Sequence, residues 1–169
     1  MNKLFIVTGA SGSGKTTVVK DLQKRNIKNL EIFFFDSIGV PTPEKMKSRF
    51  GGSEEWQRLT TINWIKKIKE ETLDKNDALL DGQIKPSFVR EACRVNEVEN
   101  YEIILFDCSD EVRSNRLMGR GHSELVNPDT MNWARLLREE STKTGCLIID
   151  NTNLPEKESA ELLSKKVLV

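Results

Sequence analysis

The chain has 169 residues, enough for one domain that buries about two thirds of its unfolded surface and too few for a second independent one. Hydrophobic residues make up 37% and charged residues 31%, which excludes a disordered or fibrous chain. Lys plus Arg and Asp plus Glu each total 26, so no global field draws the protein onto nucleic acid or an anionic membrane, and any anion site must be local.

Leu4–Thr8 is an apolar run with the length of a buried strand, far too short for a signal peptide or membrane span, which predicts a cytoplasmic protein. Four more such runs follow at 31–35, 78–81, 103–107 and Leu147–Asp150. Between them lie amphipathic segments with helix-start signals. Thr42-Pro43 supplies a cap and a first-turn proline, Ser53 precedes Glu54-Glu55, and Asn127-Pro128-Asp129 repeats the arrangement. Asn153 with Glu156 reads as a capping box. Strands alternating with helices imply right-handed crossovers and a five-stranded parallel sheet with helices on both faces, expected as a single domain over residues 1–169. Cys93, Cys108 and Cys146 are odd in number and widely spaced, which reads as reduced thiols and not as a disulfide or zinc framework. The composition predicts an ordered monomeric unit, with a homodimer as the alternative.

In a doubly wound sheet, ligands bind at the carboxyl ends of the strands. Those ends carry residues 9–16, Asp36, Asp81, Asp107 and Asp150. Gly9-Ala10-Ser11-Gly12-Ser13-Gly14-Lys15-Thr16 matches GxxxxGK[ST] directly after the first strand. Its glycines permit a backbone nest of N–H groups for phosphate oxygens. Lys15 is placed to reach the β and γ phosphates of ATP, and the Thr16 hydroxyl to coordinate Mg²⁺. The expected nucleotide-binding set is Gly9, Ser11, Gly12, Ser13, Gly14, Lys15, Thr16 and, one step into the helix, Thr17.

Three classes of nucleotide protein compete. Asp36-Ser37-Ile38-Gly39 reads DxxG, but no guanine-reading NKxD element follows, which argues against a GTPase. A motor ATPase ends its metal-side strand in Asp-Glu, whereas the strands here end Asp81-Gly82, Asp107-Cys108 and Asp150-Asn151. A kinase is the remaining class.

The short chain and its layout resemble the nucleotide and nucleoside kinase branch of the P-loop family, which includes shikimate and gluconate kinases. Phe33-Phe34-Phe35-Asp36-Ser37 is similar to the second strand and following Asp of chloramphenicol phosphotransferase-like and polynucleotide kinase-like members. The resemblance implies that Asp36 is the acceptor-side base. Ala78-Leu79-Leu80-Asp81-Gly82-Gln83 resembles their third strand, which implies a metal-side role for Asp81 through water. Turn or cap roles are the plainer readings of both, and Asp107 is read as a cap.

Asp110-Glu111 open a helix in which spacings of three and four put Arg113, Arg116 and Arg120 on one face. Like charges there call for an anion opposite or a solvated surface. The resemblance implies lid arginines at Arg116 and Arg120 that clamp the transferred phosphate, with a short lid from 121 to 127. His122, the only histidine, is expected to be an exposed loop residue. The region from Thr42 to about Thr72 would roof the acceptor pocket, with Leu59, Ile62, Ile65 and Ile68 as its core stripe and Trp56 and Arg58 as possible acceptor contacts. The resemblance also places Asp150-Asn151-Thr152-Asn153 on adenine, with capping by Asn153 the competing reading.

The expected activity is therefore ATP- and Mg²⁺-dependent phosphoryl transfer to a small-molecule acceptor carrying a hydroxyl or a phosphate. The catalytic set is Lys15, Asp36, Arg116 and Arg120, and the metal set is Thr16 and Asp81. A 5′-hydroxyl polynucleotide kinase and a nucleotide-binding regulator without turnover are the alternatives; neutral net charge argues against the first.

Overall fold

The structure, a computed structural model, describes residues 2–168. Its strands are β1 (Leu4–Thr8), β2 (Leu30–Phe34), β3 (Asp77–Asp81), β4 (Tyr101–Asp107) and β5 (Leu147–Asp150). They form one parallel sheet in the order β2-β3-β1-β4-β5. With helices on both faces, this is the P-loop NTPase fold.

All five residues of β1 are buried, because it lies at the centre of the sheet with both faces covered. Leu4 and Ile6 pack on one face with Leu80, while Phe5 and Val7 pack on the other with Leu79. The first face is covered by α3 (Ser53–Glu71) and α4 (Pro86–Val95), with α6 (Pro128–Lys143) farther along. The second is covered by α1 (Lys15–Lys24) and α7 (Glu156–Val167), which pack on each other. Each fully buried aliphatic side chain in these layers contributes about 1.5–3 kcal/mol.

Thr42 caps α2 (Pro43–Phe50) by accepting from the Lys45 N–H, and Asn127 caps α6 by accepting from the Thr130 N–H, both as the sequence predicts. The region 42–72 is two helices, in keeping with start signals at both Thr42-Pro43 and Ser53, and the break falls at Gly51 with φ 84°. Two cap expectations need correction. Ser53 is the first residue of α3 and Gly52 its cap position. Asn153 caps nothing, because Pro155 holds the cap position of α7 and the helix begins at Glu156. On α3 the buried face is Trp56, Thr60, Thr61, Trp64, Ile65 and Ile68, while Leu59 and Ile62 are half-buried. A spacing of three drifts off the 3.6-residue period, so the expected stripe holds at Ile65 and Ile68, with Ile62 packed against their cluster, and is lost at Leu59. Helix α4 carries Pro86 in its first turn, where the missing N–H costs no hydrogen bond.

Candidate active site

The loop from Gly9 to Thr16 connects β1 to α1. Gly14 occupies the cap position of α1 with φ 84°, and no side chain caps the helix, so its first N–H groups are left for a ligand. Gly12 has φ 78°, and a Cβ there would lie 2.9 Å from Arg113 Cγ. Only glycine meets both conditions.

Behind the loop, side chains hold its carbonyls. Arg113 Nη1 donates to Ser11 O (2.9 Å), Asn151 Nδ2 to Ser13 O (2.8 Å), and Arg116 Nη1 reaches Ser13 O at 3.4 Å. Arg116 also donates to Asn151 Oδ1 (2.9 Å) and Asn151 O (3.0 Å).

In front of the loop lies a cavity of 270 Å³ lined by Ser11, Gly12, Ser13, Gly14, Lys15, Thr16, Asp36, Gln83, Arg120, His122 and Leu125, among others. Thr16 Oγ1 donates to Asp81 Oδ2 (2.8 Å), and Lys15 Nζ lies 4.0 Å from Asp81 Oδ1. Burial pushes the Lys15 ammonium below its ordinary value, with the charges of Asp81 and Asp36 opposing. Burial likewise pushes the Asp81 carboxyl up, against the Lys15 charge and the Thr16 hydrogen bond. Asp81 Oδ1 is buried and receives no hydrogen bond among the described residues. Two oxygens beside a loop hydroxyl fit a hydrated divalent cation, since Mg²⁺ keeps several waters and asks few protein ligands.

Asp36 lies in the 3-10 turn Phe35–Ile38 that follows β2 and lines the same cavity as Arg120. Trp64 Nε1 donates to Phe35 O (3.2 Å) and fixes the turn from α3. The Asp36 carboxylate is exposed and accepts no hydrogen bond among the described residues, so it is not spent on an Asx turn. Gln83 lines the same cavity, donating to Ser11 Oγ (3.1 Å). Sequence reading passed over it, although it directly follows the Asp-Gly end of a strand.

The arginine helix, α5 (Asp110–Gly119), does not present one basic face. Arg113 is fully buried and paired with Asp107 Oδ1 at 2.9 Å. Asp107 is thus no cap: Ser109 caps α5, and the second Asp107 oxygen is taken by Arg138 of α6. Arg116 is held behind the loop by Asn151. Arg120 reaches the cavity and donates to Thr17 Oγ1 (3.0 Å). The segment after it makes one 3-10 turn, Ser123–Leu125, where exposed His122 contacts Glu124 at 3.2 Å.

Trp56 and Arg58, which could have gripped an acceptor, are committed elsewhere. Trp56 is buried edge-on against Phe35, and Arg58 is paired with Glu55 (2.7 Å) and Glu91 (2.6 Å). A second cavity of 190 Å³ lies beyond the loop, lined by Thr17, Arg116, Asn151, Leu154 and Glu156 among others. Asp150 closes the loop beside it by accepting from the N–H and hydroxyl of Thr152, which hold its carboxyl below the usual range.

A family model described as AAA domain matches residues 6–132, which include the loop, Asp36, Asp81, Arg116 and Arg120. The chain belongs to the AAA domain family. No curated protein matches it by sequence. Among solved structures, this AAA domain is similar to a tunicamycin resistance protein from Deinococcus radiodurans, with TM-score 0.67 and 18% identity over 99% of this chain and 96% of that one. It is also similar to a sugar kinase from a Janibacter species, at TM-score 0.61 and 20% identity over 98% and 94%. The shikimate kinase of Acinetobacter baumannii in complex with shikimate aligns at TM-score 0.58 and 15% identity over 99% and 93%. The AAA domain described here therefore shares its fold with small P-loop kinases.

Proposed function

We propose that the protein is an ATP- and Mg²⁺-dependent kinase that transfers the γ-phosphoryl group to a small-molecule acceptor bearing a hydroxyl or a phosphate. The observation that carries this reading is that Lys15, Thr16 and Asp36, whose carboxylate accepts no hydrogen bond among the described residues, line one cavity. A group that holds phosphate and a group that accepts a proton share the same space. The similarity to structures titled shikimate kinase and sugar kinase supports it.

The residues divide the work. Loop N–H groups and Lys15 would hold the β and γ phosphates, and Thr16 with Asp81 would hold the water shell of Mg²⁺, which when bound would supply neutralising charge to the phosphates. Asp36 orients an acceptor hydroxyl and takes its proton as the acceptor oxygen bonds to the γ phosphorus and the bond to the β–γ bridging oxygen breaks, releasing ADP. Arg120 sits where transferred charge would gather. Arg116, turned behind the loop, steadies the nucleotide side, and the cavity beside Asn151 and Leu154 accommodates the base.

An ATP-dependent screen of nucleosides, nucleotides, sugars and aminoglycoside-like alcohols on the wild type and Asp36→Asn tests the reading. Acceptor-dependent ADP release that drops in the variant supports it. Equal ADP release with and without every acceptor rejects transfer, and tight ATP binding without ADP would favour a regulator.

A further inference from the structure

A trans planar peptide points its C=O and its N–H in opposite directions. Whatever grips a loop carbonyl from behind therefore aims the next N–H forward. At Ser11 the grip is Arg113, whose Nη1 donates to the carbonyl at 2.9 Å. Glycine at position 12 permits the required φ of 78° but does not select it from the others open to glycine.

We propose that Arg113 is a positioning residue for the phosphate site: pinned behind the loop, it holds the Ser11 carbonyl back and presents the Gly12 N–H to phosphate. This rests on residues 9–16 being the nucleotide phosphate site. Arg113 does not line the front cavity, so it acts only through the loop.

Three features suit it to that task. Its guanidinium is fully buried, and its planar fork bonds Ser11 O, Asp107 Oδ1 (2.9 Å) and Cys108 O (3.2 Å) at once. Its stem packs under Gly12, which leaves the loop no room to sink. Its charge is matched by Asp107, which Arg138 braces from α6. A buried ion pair is a weak device for stability alone, but a rigid one for orientation. Asn151 grips the Ser13 carbonyl (2.8 Å) in the same sense, one peptide before Gly14.

The test is calorimetric binding of tripolyphosphate, ADP and ATP to the wild type, Arg113→Met and Arg113→Lys, at a temperature where circular dichroism shows each protein folded. Methionine keeps the packing under Gly12 and removes every hydrogen bond. Lysine keeps the charge beside Asp107 but lacks the fork. The expected result is binding weakened about tenfold or more in Arg113→Met, for tripolyphosphate as for the nucleotides, with Arg113→Lys between it and the wild type. Dissociation constants within twofold of the wild type, with only a lowered thermal midpoint, would overturn the proposal. If Arg113→Met does not fold, Arg113→Lys is judged by the same criterion. A wild type that binds none of the three ligands would instead remove the phosphate-site reading, and the proposal with it.

Discussion

Thr16 Oγ1 donates to Asp81 Oδ2 at 2.8 Å, so the last residue of the P-loop and the last residue of β3 form one polar unit before any ligand arrives. The contact follows from strand order. β3 pairs directly with β1, with Val7 opposite Asp81, which brings the end of β3 beside the loop that leaves β1.

Asp81→Asn is expected to weaken Mg²⁺-dependent nucleotide binding while leaving metal-free binding nearly unchanged, because the amide keeps the shape and loses the charge. Burial raises the Asp81 carboxyl above its ordinary 3.8. A proton then competes with the cation on acidification, beginning above that value, and affinity falls as pH falls. Titrations with MgADP across the acidic range should show this loss in the wild type and a flatter profile in Asp81→Asn.

Asp36→Asn should reduce transfer to a hydroxyl acceptor by about 10²–10⁴. The ATP dissociation constant should stay within about threefold, since Asp36 borders the phosphate site without bonding to the loop. Steady-state kinetics with separate binding measurements checks both. A tenfold loss of ATP affinity would reassign Asp36 to the nucleotide.

Lys15→Met should abolish the thermal shift produced by ADP without lowering the midpoint of the free protein. Lys15 is buried and its ammonium is pushed below 10.5. Between the lowered value and 10.5 the unfolded chain binds more protons than the folded one, so this residue makes stability rise with pH through that window. Urea melts across the alkaline range, compared between wild type and variant, should show the rise only with Lys15 present.

Among the thiols, Cys146 should react first with a disulfide reagent. Cys93 is buried and its thiol is pushed up to about 12 by burial, and burial raises Cys108 as well, whereas Cys146 is half-buried. The fast phase should vanish in Cys146→Ser, and unfolding should release all three thiols.

The P-loop and its place between a strand and a helix were legible because the motif is one contiguous run of residue types, even though what its glycines pack against, Phe106 behind Gly9 and Arg113 behind Gly12, lies on distant segments. The carboxylates at strand ends were legible for a related reason, since parallel strands bring their carboxyl ends to one edge. The division of the arginines was not. Helical spacing groups Arg113, Arg116 and Arg120, but whether each meets solvent, a carbonyl or a carboxylate depends on Asp107, Asn151 and Arg138, which lie on other elements. The surroundings of Trp56 and Arg58 were legible only in part: the Glu55–Arg58 pair follows from helical spacing, whereas Phe35 and Glu91 lie 21 and 33 residues away on other segments.

The central position of β1 divides the cavity edge into two flanks. Asp36 and Asp81 come from β2 and β3 on one side, and Arg113, Arg116 and Asn151 from the segments after β4 and β5 on the other. The two flanks meet at the P-loop, where Thr16 bonds Asp81 and Arg113 bonds the Ser11 carbonyl. Remodelling the turn after β2 and the helices behind it can therefore change which alcohol is admitted while the opposite flank keeps its geometry, so the scaffold lends itself to redesign one half at a time.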